Sequence, residues 1–450
     1  MEHRAVCLTR RFPKSLDKPA AMCYPMGKSI GSERSYPMKP TRMDRTKLQI
    51  GAYILQPYAQ TERHVREIAD CAIDFITCLR PEKPGILDAF ARYGVGAIVS
   101  GVVPGWWGGN GDNAGKLSET NPLPQYEEAA ARFADHPAIW GIDVGDEPSA
   151  LDFPYYGRVI DTVNRAFPQQ FAYLNLYPNY ASVSKNNAAE TVNQLGTATY
   201  AEHIERYIEN VPTDYICYDY YMYSASVAGA YENLRIVSDA CLRTGRSMWI
   251  VLQVNSNKPE HWISENELRV QAYSAMAFGA ESIIWACYTA GWWHNQVLDE
   301  HGEKTEQYEK LRRVNTALKA IGVPYMRYRR TATHFVGYAA DDPELSRLQQ
   351  KPIPAANTGF FFDLHAAGGK LICGEMVSRD PLHDPSRAML VCNATDPMDT
   401  APASHTVSFI AHDRRITLYD ESGARVLTPE ENNRYTFSLE NCRGALLVAE

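Results

Sequence analysis

The tripeptide Asp146-Glu147-Pro148 puts two consecutive carboxylates just after an apolar, strand-like run, Ala138 to Val144. That arrangement suits acid–base chemistry. A carboxyl held among apolar rings keeps its proton more tightly than one in water, as a general acid must. Pro148 is expected to bias Glu147 towards an extended backbone. A plainer reading fits the same residues: a carboxylate pair at the positive end of a helix beginning at Ser149-Ala150-Leu151. A further carboxylate, Asp219, lies in the run Tyr215 to Tyr221, with Tyr221 following on the same face. Similar runs end on rings and amides: Trp106 and Trp107, Tyr177 and Asn179, Gln253, and Trp292. Sugars offer flat C–H faces that stack on rings, and hydroxyls that pair with amides and carboxylates. Each aromatic taken singly fits a core position as well. Their concentration at the ends of runs is what marks the set as a carbohydrate site.

The elements that must carry these residues repeat. Over residues 47–322, apolar strand-like runs alternate with amphipathic helices about eight times. The runs begin at Leu48-Gln49-Ile50 and finish with Ser282 to Tyr288. Between the seventh and eighth, Ser264-Glu265-Asn266-Glu267 spells a capping box. The last helix carries Leu311, Val314, Leu318 and Ile321 and is expected to stop at Gly322. This is the size and pattern of an α/β chain folded as a (β/α)8 TIM barrel, whose active sites lie at the C-terminal ends of the strands. Beyond it, residues 323–450 show strand-like runs without helices, which predicts a C-terminal all-β sandwich domain. Residues 1–46 contain five prolines and no clear period, and are expected to form a loosely ordered N-terminal extension.

Composition narrows the partners. The 450 residues carry a formal net charge of -8, which argues against nucleic acid. No run of about 18 apolar residues predicts a membrane span. The ten cysteines contain no Cys-x-x-Cys and several sit in apolar runs, so buried reduced thiols are expected. No apolar segment follows the basic residues near Met1, and the expected location is the cytoplasm. The glycine-rich stretch at 105–115 fails as a phosphate loop, because Gly115-Lys116 is followed by Leu117 and position 110 is Asn. It reads as a loop over the barrel mouth. Histidine spacings match no ligand motif, so neither a metal nor a cofactor is expected.

The stretch Trp140-Gly141-Ile142-Asp143-Val144-Gly145-Asp146-Glu147-Pro148 resembles the fourth-strand motif of clan A glycoside hydrolases, the superfamily of (β/α)8 enzymes that includes β-galactosidases and cellulases. Gly279-Ala280-Glu281-Ser282-Ile283-Ile284 and Asn315-Thr316-Ala317-Leu318 resemble the eighth-strand entry and last helix of family 42-like barrels. The resemblance implies a glycoside hydrolase acting on an oligo- or polysaccharide, with Glu147 as acid/base. Asp146 replaces the Asn that usually precedes that Glu. The superfamily's nucleophile is a Glu at the end of strand seven, where this chain has Gln253. An amide cannot form the glycosyl ester. Asp219 is the best replacement, as a base in an inverting reaction that wants carboxyls about 6.5–9.5 Å apart, or as nucleophile. Asp143 is a rival lying deeper on its strand, and Tyr221 or a substrate group is another. In this reading Asp146, Asn179 and Gln253 hold hydroxyls, and Trp106, Trp107, Tyr177, Tyr221 and Trp292 form the platform. The alternatives are a carbohydrate-binding barrel that has lost catalysis, and a different barrel enzyme such as a lyase.

Overall fold

The computed structural model describes residues 41–108, 113–181, 194–399, 401–412 and 414–450. Residues 1–40 of the expected extension and 109–112 of the glycine-rich stretch lie outside them.

Eight parallel strands form a closed barrel in chain order: β1 (Gln49–Tyr53), β2 (Phe75–Leu79), β3 (Gly96–Val99), β4 (Ile139–Asp146), β5 (Phe171–Leu176), β6 (Tyr215–Tyr220), β7 (Ser247–Gln253) and β8 (Ala280–Ala286). Strand β8 closes the ring on β1, with Gly51 opposite Ile284. The helices between them are α1 (Glu62–Asp70), α2 (Ile86–Arg92), α3 (Leu117–Thr120), α4 (Leu123–Ala131), α5 (Phe153–Ala166), α6 (Tyr200–Asn210), α7 (Val227–Thr244) and α8 (Glu265–Ala277), with α9 (Glu306–Met326) after β8. Their starts are encoded locally. Thr61, Thr199, Ser226 and Thr305 each accept a backbone N–H from the first turn, and Ser264 with Glu267 makes the full capping box.

Alternation along each strand separates two cores. Outward residues such as Ile50, Ile142, Leu174, Ile216 and Ile250 meet the helices. Inward ones, including Phe75, Ile98, Phe171, Tyr173, Tyr215, Trp249 and Ile284, fill the lumen. Tyr215 stacks on Trp249 at 4.3 Å, so the barrel is a packed core with its open space at one end.

Two expectations change. Residues 41–46, expected as loose extension, are tied to the barrel: Met43 is buried in the lumen cluster, and Arg45 pairs with Asp214 at 2.8 Å. Arg42 donates to Asp135 at 2.8 Å and to the Ile139 carbonyl at 2.9 Å. The last helix does not stop at Gly322. It continues through Pro324 to Met326, and Gly322 instead lets the helix approach β1, where an added Cβ would lie 3.1 Å from that of Leu48.

The chain passes directly into β9 (Tyr328–Val336), then β10 (Phe362–Ala366), β11 (Leu371–Ser378), β12 (Arg387–Asn393), β13 (Ser404–Ile410), β14 (Ile416–Asp420), β15 (Gly423–Leu427), β16 (Arg434–Glu440) and β17 (Gly444–Ala449). These build an antiparallel sandwich. A six-stranded sheet, ordered β15-β14-β17-β12-β11-β9, faces a three-stranded sheet, β10-β13-β16. Val391, Leu447 and Leu371 pack against Val407, Phe409 and Phe437 between them. Strands β11 and β12 also lie against α8, whose residues 267–277 are consequently buried all round. Among the described residues no helix is long and apolar enough to cross a membrane.

Candidate active site

A cavity of about 1130 Å³ opens where the barrel strands end. Strand β4 supplies most of its charge. Strict alternation would turn Asp146 away from the face that carries Asp143 and Glu147. The pairing of β4 with β5 slips between Asp143 and Gly145, and Asp143, Gly145, Asp146 and Glu147 all line the cavity. Position 145 has φ 156, and a Cβ there would lie 2.2 Å from the Tyr156 hydroxyl, so glycine permits the slip.

Glu147 is not extended as its neighbour Pro148 predicts. Its φ is 47, in the left-handed region that a side chain enters at a cost of about 1–3 kcal/mol. The turn is held from both sides. The Glu147 N–H donates to the Asn175 carbonyl at 2.9 Å, and Gly108 packs so tightly on the Glu147 carbonyl that a Cβ there would overlap it. The loop after β3 returns to β4 at this point, with Trp107 bridging Asp146. The Trp107 indole N–H then donates to Glu147 Oε2 at 3.3 Å.

Asp219 comes from β6, whose inward residues are Tyr215, Cys217 and Asp219, with Tyr221 just beyond the strand. Both N–H groups of the Asn175 amide are spent on carboxylates, one on Asp146 Oδ1 at 3.0 Å and one on Asp219 Oδ1 at 2.9 Å. Asp143 sits to the side, accepting the Gly145 N–H at 3.1 Å and the Ser100 hydroxyl at 2.5 Å.

Burial sets the protonation of this group, because desolvation penalises the charged form. It raises Asp143, against the lowering hydrogen bond from Ser100. It lifts Asp146 to about 6, opposed by the Asn175 bond and helped by the charge of Asp143. Asp219 rises to about 7 through burial and the charge of Asp146, while Asn175 and Tyr180 hold it down. Glu147 is pushed to about 10 by burial first, then by Asp219 and Asp146, with the Trp107 bond acting the other way. Burial thus pushes all four carboxyls above their ordinary range.

Of the ten residues expected at the site, seven line this cavity: Trp106, Trp107, Asp146, Glu147, Asp219, Tyr221 and Trp292. Trp107 is 60% exposed and offers a ring face, whereas Trp106 is buried in the wall. Tyr221 lies 6.1 Å from Trp292, and Tyr53 meets Trp292 edge-on at 5.4 Å.

The other three are not among the lining residues. Tyr177 is buried, with its hydroxyl beneath Gly108, so it supports the loop that meets Glu147. Asn179 donates to the Gly229 carbonyl at 3.0 Å and to Glu232 at 2.9 Å, anchoring its loop on α7. Gln253 is fully buried. Its Oε1 accepts the Tyr223 N–H at 2.9 Å and its Nε2 donates to Ser224 Oγ at 2.8 Å, so its amide is consumed by the loop after β6. From β7 only Val251 lines the cavity.

Asn175 and Tyr53, not expected at the site, line the cavity too, beside Tyr180 and Trp293 at the ends of their runs. Asn175 had a signal, a lone amide within the otherwise apolar strand Phe171-Ala172-Tyr173-Leu174-Asn175-Leu176. Among the described residues no three His, Cys, Asp or Glu side chains converge as a metal site would require.

No family model and no curated protein matches this chain. Solved structures similar to it include a glucosidase from Croceicoccus marinus, at 11% identity and a TM-score of 0.43 over 90% of this chain and 95% of that one. A β-galactosidase from the psychrophilic Marinomonas ef1 is 11% identical with a TM-score of 0.41, over 61% of this chain and 60% of that one. A glycoside hydrolase family 5 mannosidase from Rhizomucor miehei, at 11% and 0.39, covers 60% and 92%. These likenesses are of outline only and carry no chemistry across. It is the closed eight-stranded ring of parallel strands, in chain order and followed by an antiparallel sandwich, that makes this chain a (β/α)8 TIM-barrel protein.

Proposed function

We infer that the protein is a glycoside hydrolase in which Glu147 protonates the departing glycosidic oxygen. The observation that carries this reading is that Glu147, bonded by the Trp107 indole, and Asp219, bonded by Asn175, line one cavity at the strand ends together with Tyr221 and Trp292. Burial raises both carboxyls, Glu147 to about 10 and Asp219 to about 7. Acid–base pairs are found where environments drive such pKa values apart. A base works best with a pKa near the working pH, and Asp219 meets that condition. In the inverting form, Asp219 takes a proton from water as its oxygen attacks the anomeric carbon, while Glu147 gives its proton to the leaving alcohol. The products are a free sugar and that alcohol, and the two carboxyls end with their protons exchanged. In the retaining form, Asp219 attacks directly and Glu147 later activates the water. Trp107, Tyr221 and Trp292 supply the ring faces for the sugar, and Asp146 accepts from a hydroxyl.

One observation favours a second reading, a barrel that binds glycans without cleaving them. Strand β7, source of the nucleophile in clan A hydrolases, sends no carboxylate to the cavity, and Gln253 is locked in the neighbouring loop.

Sugar release from a broad panel of glycosides and polysaccharides, wild type beside Glu147→Gln, separates the two. Release by the wild type that falls by about 10²–10⁴-fold in the variant is expected. The anomer first formed then distinguishes base from nucleophile. Equal release by both proteins removes Glu147 from the acid role, and sugar binding without any release selects the second reading.

A further inference from the structure

A small cavity of about 90 Å³ lies at the opposite end of the barrel from the candidate active site, where β7 and β8 begin. Its walls come from both halves of the molecule. The barrel supplies Arg246, just before β7, and Glu281 of β8. The sandwich supplies Arg329 and Arg330 of β9 and Arg379, just after β11. Four guanidinium groups thus line one space with a single carboxylate. This runs against the chain as a whole, whose formal net charge is -8.

The protein answers only part of that charge. Arg379 pairs with Glu281 and donates to the Tyr328 carbonyl at 3.1 Å. Arg330 is buried and pairs with Asp239 of α7 at 2.7 Å. Arg246 is buried as well, and donates to the carbonyls of Ile208 and Val211, each at 3.1 Å. Arg329 has no ion pair and no side-chain hydrogen bond among the described residues. Two carboxylates, Glu281 and Asp239, therefore stand against four arginines. The excess is felt nearby. Burial, and then the charge of Arg330, hold the Arg235 guanidinium below its usual value. The last turns of α7 and α8 also reach the cavity. Each helix end brings about half a negative charge that fades within a turn, and neither occupies the donors of Arg329.

We propose that this cavity binds a small oxyanion of the phosphate class, held by Arg329 and its neighbours between the barrel and the sandwich. A guanidinium presents its N–H groups as a planar fork that matches two oxygens of such an ion. An anion placed among like charges that are partly withdrawn from water offsets their repulsion. Size selects the free ion. Sites for drug-sized ligands span about 300–1,000 Å³, and this space is well below that. The proposal is independent of the hydrolase reading, because the two cavities share no residue.

Titration calorimetry of the full chain with inorganic phosphate, at an ionic strength fixed with chloride, tests it. The wild type is expected to bind with a Kd below about 1 mM, and phosphate is expected to raise its melting temperature. Arg329→Ala is expected to weaken binding at least about tenfold, through loss of charge-assisted hydrogen bonds. No bond within the protein is lost in this variant, so its melting temperature in chloride is not expected to fall, which verifies that it is folded. Absence of phosphate binding by the wild type, or equal binding by both proteins, overturns the proposal. Tighter binding of glycerol 3-phosphate than of inorganic phosphate overturns the choice of a free ion.

Discussion

Asn175 and Asp219 are joined by an N–H···O bond of 2.9 Å, and the second N–H of the same amide is spent on Asp146 at 3.0 Å. One side chain therefore keeps two mutually repelling carboxylates side by side and favours the charged form of each. Asn175→Ala removes both bonds. The acid limb of the kcat/KM profile is expected to move to higher pH, because Asp219 and Asp146 then hold their protons more tightly. Loss of a hydrogen bond to a charged group predicts a fall of about 10–100-fold at neutral pH. An unmoved acid limb would sink this assignment.

Activity in the wild type should follow Asp219 and Glu147. Sugar release is expected to rise with pH through about 7, as Asp219 ionises, and to fall through about 10, as Glu147 loses its proton. Rates measured between pH 5 and 11 check both limbs. An optimum near pH 5 would contradict the roles given to these residues.

Stability carries the same groups with a definite sign. Asp146 and Asp219 have folded-state values of about 6 and about 7, above the ordinary 3.8. Between those limits the folded state binds more protons than the unfolded state, so stability falls as pH rises. Their contribution is complete below about pH 4 and is lost as pH rises through 6 and 7. Melting temperatures across that window, wild type against Asp219→Asn, isolate the effect. The variant is expected to lose less stability over the window than the wild type does.

Gln253→Glu tests whether strand seven retains a latent catalytic position. The amide is buried and bonded to the loop after β6, so a carboxylate there gains no access to the cavity. No increase in sugar release is expected, together with a destabilisation of about 1–3 kcal/mol from the buried charge. A gain of activity in this variant would restore Gln253 to the site.

Gly374 of β11 lies against the Ala277 carbonyl of α8, and a Cβ there would stand 2.5 Å from that oxygen. Backbone on both sides leaves nothing flexible to yield. Gly374→Ala is expected to cost about 1–3 kcal/mol, read as a lowered melting temperature.

The barrel was legible because its signals are local and repeated: continuous apolar runs, 3.6-residue helical stripes, and the Ser264–Glu267 capping box. The sandwich was harder to read at its margins. Strand β9 starts at Tyr328, but Tyr328-Arg329-Arg330-Thr331-Ala332-Thr333 shows no apolar alternation, and only its end was visible. Strand β15 is an edge strand with exposed residues at its centre, and its sequence has no apolar face to betray it. At the site, placing Glu147, Asp219 and the tryptophans needed only strand ends. Excluding Tyr177, Asn179 and Gln253 needed to know which loops would claim their polar groups, and those partners are distant in sequence. The slip at Gly145 that brings Asp146 to the cavity is likewise a property of pairing with β5, not of β4 alone.

Helix α8 has no solvent face to fall back on. Ordinary barrel helices keep a polar outer stripe, but this one is sealed between β7 and β8 on one side and β11 and β12 on the other. Removing the sandwich would leave residues such as Tyr273 and Met276 on the outside of the barrel wall. With α9 also running into β9 after a single intervening residue, no slack remains between the two halves. The barrel and the sandwich are therefore expected to melt in a single calorimetric transition, and neither half is expected to fold when expressed alone.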